Sequence, residues 1–277
     1  MGKKKRTPQT QKVPQAQPPK RARQQKQLRK LKRTYKDSMF RAIFKEKKNL
    51  LSLYNAVNGT NHTNEDDLEI NTLENVIYMN YKNDISFVIN LHLYLYEHQS
   101  SINPNMPLRD LFYVTKILQE IMKDEDIYSS TLKTFPTPRF VVFYNGVEEK
   151  PDQWEVRLSD AFAQPTNNPE LELIVTVLNI NLGKNKKLME ACKVLYDYAV
   201  FIQRMRERSK TMTPEEAAER TIEECIKEDI LADFLKEHKA EAKDMCQCLY
   251  EYDEEKHIRE ECKIARETGW KEGWYGG

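Results

Sequence analysis

No stretch of this chain approaches the ~18 consecutive apolar residues that a membrane-spanning helix needs. The first residues also lack the apolar core of a secretory signal, so a cytoplasmic protein with no membrane partner is expected. Glycine is scarce, 8 in 277 residues, which suits a helix-rich chain. There is no P-loop, no Rossmann glycine fingerprint and no G-x-S-x-G nucleophile elbow. Nor is there a helix-turn-helix or zinc-finger pattern, so sequence-specific reading of DNA finds no support. Cysteine is sparse and odd in number: Cys192, Cys225, Cys246, Cys248 and Cys262 fall in helical stretches and read as free thiols. Cys246-x-Cys248 with His238, His257 and Cys262 matches no common zinc module, because cysteines two apart on a helix point away from each other.

Acid is missing altogether from residues 1–36, which carry fourteen Lys or Arg. The remaining residues hold 30 basic against 43 acidic side chains, so the net charge of +1 hides two opposed segments. The basic segment includes Lys3, Lys4, Lys5, Arg6, Lys20, Arg21, Arg23, Arg29, Lys30, Lys32 and Arg33, with Pro and Gln between them. Almost nothing there can be buried, so a disordered tail is expected. Such a tail suits nucleic acid, which it would hold by counterion release without reading sequence. The plainer reading is a solvated tail.

What is present in the body centres on Lys82 to Gln99. Leu91, Leu93, Leu95, Glu97 and Gln99 share one parity, and His92, Tyr94, Tyr96 and His98 the other. Period two predicts a strand on which a carboxylate and an amide follow leucines on the same face. Asp84 stands thirteen residues before Glu97 and opens the apolar run Ile85–Ile89, a preceding strand. A hairpin through Asn90 would bring the two carboxylates together at one end of the sheet. Two carboxylates with a polar neighbour are a donor set for a hard divalent cation, Mg²⁺ or Mn²⁺. His98, of opposite parity, is expected behind the site.

Asp84 with Glu97-x-Gln99 resembles the D…E-x-Q variant of the PD-(D/E)xK nuclease motif. The flanking Asn83-Asp84-Ile85-Ser86-Phe87, Tyr96-Glu97-His98-Gln99-Ser100 and Asn103-Pro104-Asn105-Met106-Pro107-Leu108-Arg109 are similar to the bacterial recombination-promoting nuclease (transposase) family. So are Arg109-x-x-x-Tyr113 and Leu178-Asn179-Ile180-Asn181, and the likeness runs from about Asp37 to Arg206. It implies Asp84 and Glu97 as ligands of Mg²⁺, Gln99 as the third catalytic residue, and DNA as substrate. Asp37 matches the acid of the family's D-x-x-F motif. It admits two roles, a helix N-cap or a further acid of the metal site. Arg109 and Tyr113 are helix neighbours, placed either to touch a scissile phosphate or to tie down an acid.

Taken in order, Asp37 opens a helix to Asn58-Gly59, and Leu73–Met79 reads as a first strand. Asn-Pro-Asn-Met-Pro launches a helix from Leu108 to about Lys123, with Leu108, Leu111, Phe112, Thr115, Leu118 and Met122 on its apolar face. Arg139–Tyr144 and Leu171–Ile180 read as strands, and Glu148–Pro169 between them as a loop anchored by Trp154 or Phe162. Leu188–Met205 reads as a helix, and Thr213-Pro214-Glu215-Glu216 as the capped start of another. The expected fold is α/β: a small mixed sheet of four or five strands flanked by helices, a PD-(D/E)xK nuclease-like core. The expected domains are a basic tail (1–36), the nuclease-like domain (37–206) and a charged helical C-terminal extension (207–277) through which copies of the chain could associate.

The function this predicts is metal-dependent hydrolysis of DNA phosphodiester bonds, linked by the resemblance to recombination. Lysine is usual where Gln99 stands. A degenerate nuclease domain that binds DNA without cutting it is therefore a rival, as is a protein-interaction module built on the C-terminal helices.

Overall fold

The computed structural model describes residues 39–70 and 84–243. Helical residues 39–44 pass through a break at Lys45 and Glu46 into α1 (Lys47–Asn58), so the single helix expected here is two. Gly59 ends α1 as expected: it takes left-handed dihedrals (φ 64°, ψ 34°) and its N–H returns to the Asn55 carbonyl. The expected strand at Leu73–Met79 and the candidate Asp37 lie outside the described residues.

The sheet comprises β1 (Glu69–Ile70), β2 (Ile85–Ile89), β3 (His92–Gln99), β4 (Thr137–Tyr144), β5 (Gln153–Arg157) and β6 (Ile174–Asn179) in the order β1-β2-β3-β4-β6-β5. The first three strands run antiparallel to one another, β3, β4 and β6 run parallel, and β5 closes the edge antiparallel to β6. Among the described residues the sheet has six strands, against the four or five expected. Two were not expected: β1 and, in the segment read as a loop, β5. Its alternation of Trp154 and Val156 with polar neighbours is short, and pairing with β6 completes it. Trp154 does anchor this segment, edge-on to Tyr144 with ring centres 5.5 Å apart.

The β2–β3 hairpin turns at Asn90 and Leu91, both at positive φ (49° and 61°), the turn that suits the twist of paired strands. Leu91 therefore belongs to the turn, not to the leucine face, and is exposed.

Helices cover both faces of the sheet. Tyr94 and Tyr96 of β3, with Phe87 and Phe143, join a core that includes Phe40, Leu50, Tyr198 and Phe201. On the opposite face Leu93 and Leu95 meet Tyr113, Val114 and Ile117 of α2 (Met106–Ile121), while Met106 lies with Val142 and Tyr144. The sheet-facing stripe of α2 is thus Met106, Asp110, Tyr113, Val114 and Ile117, rotated from the expected Leu108–Phe112 face; Leu108 and Phe112 are exposed. An aspartate in the buried stripe hid it from a search for apolar spacing.

The expected Leu188–Met205 helix breaks at Cys192 (φ −130°, ψ 91°) into α3 (Lys186–Ala191) and α4 (Lys193–Arg208). Next comes α5 (Pro214–Lys227), opened by the expected capping box: Glu216 N–H donates to Thr213 Oγ1 at 3.3 Å and Thr213 N–H to Glu216 Oε2 at 3.1 Å. Ala217, Ile222 and Cys225 of α5 and Phe234 and Leu235 of α6 (Ala232–Glu237) share the core of Phe40 and Phe201. Buried Asp197 fixes this junction. Its Oδ2 accepts from Lys193 Nζ at 2.7 Å and from the Leu231 N–H at 3.3 Å. Cys192 and Cys225 are buried free thiols. Among the described residues no helix is long and apolar enough to cross a membrane.

Candidate functional site

The hairpin register places Ile85 opposite Tyr96, so Asp84 falls opposite Glu97, one position beyond. Both carboxylates are buried, at 7% and 4% exposure. Like charges in directly opposed positions repel, and three donors answer that repulsion. The Asp84 N–H donates to Glu97 Oε1 at 3.1 Å, and the His98 N–H to Asp84 Oδ2 at 2.7 Å. Arg109 Nη2 stands 3.7 Å from Glu97 Oε2. Each acid is therefore oriented by the backbone of the other's strand, which leaves their positions little freedom.

Arg109 and Tyr113 sit one turn apart on α2, as their spacing predicts. Arg109 Nη2 donates to the Tyr113 hydroxyl at 3.0 Å, and Nη1 lies 3.1 Å from Met106 Sδ. Burial alone would lower the guanidinium pKa, but the charge of Glu97 and the Tyr113 contacts outweigh it and raise it. Burial, and next the Glu97 carboxylate, push the Tyr113 phenol up to about 12. Of the two roles open to Arg109, the acid-pairing one is present in this structure.

Gln99 ends β3 on the Glu97 face, half-buried and opposite Tyr144 of β4. Its backbone carbonyl accepts from the Asn145 N–H at 2.8 Å. Arg206 at the end of α4 donates to the Asn145 carbonyl and to Asn181 Oδ1, so a helix from the other face clamps the strand end that carries Gln99. Asn181 Nδ2 donates to the Gly146 carbonyl at 3.0 Å and to Asn179 Oδ1 at 2.9 Å. The Asn179–Asn181 segment thus braces the turn behind the site. His98 points the other way, as expected: it stacks on Phe40 at 5.1 Å between ring centres and shares a hydrogen bond with Tyr198 Oη at 3.0 Å.

Asp110, next to Arg109 on α2, is a buried acid that spacing did not reveal. It is 1% exposed, and its Oδ1 has no hydrogen-bond partner among the described residues. Burial raises its pKa from 3.8 to about 8; Arg109 draws it down and the Asp84 charge pushes it further up. The available signal was an acid in phase with Met106, Tyr113 and Ile117.

Asp84 and Glu97 are hard oxygen donors on adjacent strands, and a buried carboxylate oxygen nearby lacks a partner, so the donor chemistry fits a divalent cation. Among the described residues no group of three or more His, Cys, Asp or Glu side chains is gathered to hold an ion, so protein ligation would rest on the pair. The basic residues from Lys3 to Arg33 lie outside the described residues. Comparison of the chain with protein-family models, with curated proteins and with solved structures gave no match.

Proposed function

We propose that this protein is a metal-dependent endodeoxyribonuclease of PD-(D/E)xK type. The observation that carries the reading is the meeting of Asp84 and Glu97 at one end of a hairpin, both buried, with Gln99 on the same strand face. The cation they would hold is Mg²⁺ or Mn²⁺, which supplies an acidified water and charge neutralisation at a phosphate. The chain's own residues do the rest. Asp84 and Glu97 are held by each other's strands, so the ligand oxygens are set before substrate arrives. Gln99 is neutral: its carbonyl can accept from an attacking water while its NH₂ donates to a phosphate oxygen. Arg109 orients Glu97 and keeps a positive charge next to the pair; this makes it a positioning group first and a phosphate contact second. The fourteen basic residues before position 37 supply non-specific attraction to DNA that the acidic body cannot.

Two observations favour a second reading, a degenerate nuclease domain that binds DNA without cutting it. Gln99 stands where the motif usually has an ammonium, and Glu97 already has a cationic partner in Arg109. Incubation of supercoiled plasmid with Mg²⁺, with Mn²⁺ and with chelator separates the two. The nuclease reading expects nicking or linearisation with either metal and none with chelator. Retained plasmid binding without cleavage under all three conditions would leave the degenerate reading.

A further inference from the structure

One buried acid on the face of the sheet that carries the proposed cation site is left unexplained. Asp110 Oδ1 lies inside the protein with neither a donor nor an acceptor at hydrogen-bond distance among the described residues. Burying a carboxyl oxygen there without a hydrogen-bond partner costs desolvation that the fold itself does not offset at that atom. The charge of Arg109 draws on Asp110, but its guanidinium donates to Tyr113 and lies beside Met106 Sδ and Glu97 rather than hydrogen-bonding this oxygen.

Its position follows from the packing of α2. Met106, one turn before Asp110, lies with Val142 and Tyr144, and Tyr113, one turn after it, lies with Leu93 and Leu95. Asp110 therefore sits above the sheet between those two contacts, over the part of β3 and β4 where Glu97 pairs with Val142. The Asp84 charge reaches it there.

The geometry points to Asp110 as a positioning residue for the cation: its unpartnered oxygen accepts from the water shell of a divalent ion held by Asp84 and Glu97. This inference rests on the nuclease reading of that pair. An outer role, rather than direct ligation, follows because the described residues do not gather three ligating side chains at one point. It also suits Mg²⁺, which binds through one or two carboxylates and retains several waters. Those waters are donors, and a buried acceptor without a donor is what the fold presents to them.

The test is Mn²⁺ binding by calorimetry on the full chain, without DNA, for the parent, Asp110→Asn, Asp110→Ala and Asp84→Asn, with melting temperatures taken in chelator. The expected result is loss of binding in Asp84→Asn and a 10- to 100-fold weaker Kd in Asp110→Asn, the range typical of residues that orient a metal's ligands. Parent-like Mn²⁺ affinity in both Asp110→Asn and Asp110→Ala, alongside lost binding in Asp84→Asn, would overturn the role of Asp110 and leave the carboxylate pair standing, the alanine being needed because asparagine keeps an acceptor oxygen. Absence of Mn²⁺ binding in the parent, or full binding in Asp84→Asn, would overturn both. Should Asp110→Asn melt below the assay temperature, Asp110→Ala carries the same comparison.

Discussion

Asp84 and Glu97 exchange support across the hairpin: the Asp84 N–H donates to Glu97 Oε1, and the Asp84 carboxylate accepts from the residue that follows Glu97. Each acid is thus both a candidate ligand and the acceptor for an otherwise buried backbone donor. Removing either has a structural cost as well as a chemical one.

Asp84→Ala and Glu97→Ala are therefore each expected to abolish cleavage while leaving DNA binding largely intact. Relief of carboxylate repulsion would stabilise the metal-free variants. The orphaned N–H outweighs it, because an unsatisfied buried donor costs about 1–3 kcal/mol. Both variants should melt below the parent in chelator, Glu97→Ala the lower because Arg109 also loses its partner. Plasmid cleavage and thermal melting check this; full cleavage by Asp84→Ala would remove it from the site.

Gln99→Ala should slow cleavage by ~10- to 1000-fold, the effect of removing one positioned polar group. Gln99→Lys should retain part of the activity, since a donor of similar reach is restored. Single-turnover rates on a defined duplex distinguish these outcomes. Parent-like cleavage by Gln99→Ala would reduce Gln99 to the polar end of a strand.

Asp110 gives the metal-free protein a pH dependence of definite sign. Its folded pKa, about 8, lies above its ordinary value of 3.8, so the native state holds a proton that the unfolded chain releases. The resulting stabilisation is complete below about pH 4 and is lost as pH rises toward 8, at up to ~1.4 kcal/mol per pH unit. Melting in chelator across this window should fall more steeply with pH for the parent than for Asp110→Asn. Parallel curves would show that Asp110 is already ionised in the folded protein.

Gly146 follows β4 at the turn where the Asn181 side chain binds, and a Cβ placed on it would collide with the ring and hydroxyl of buried Tyr144. That ring is rigid and edge-on to Trp154, so it cannot yield cheaply. Gly146→Ala should cost about 1–3 kcal/mol, as overpacking does, and move the Tyr144 hydroxyl off the Glu148 carbonyl it now reaches at 3.2 Å. Thermal melting checks the cost; an unchanged midpoint would mean that the turn relaxes freely.

Deleting residues 1–36 should weaken DNA binding and flatten its salt dependence by about 0.9 in log–log slope for each phosphate that the segment neutralises. Binding titrations at several salt concentrations measure that slope directly. An unchanged slope would make the basic segment a bystander.

Several features were already decided by neighbours along the chain. The period-two alternation from His92 to Gln99, the reversal at Asn90, the left-handed stop at Gly59 and the Thr213–Glu216 cap all depend on dihedral preference or on contacts within four residues. Such signals survive in any context, and they are enough to bring Asp84 opposite Glu97. The breaks at Lys45–Glu46 and Cys192 were not legible, because apolar spacing runs on through both. The rotation of α2 was hidden for a related reason. Leu108 and Phe112 are as apolar as a core needs, but the sheet accepts the stripe with Asp110 in it, and burial is a property of two surfaces together. The Arg109–Glu97 pair, the Arg206 clamp on Asn145 and the enclosure of Asp110 join residues 12, 61 and 13 or more positions apart in elements that meet only after folding. Electrostatics at those points depends on distance and desolvation, and the tertiary structure alone sets both.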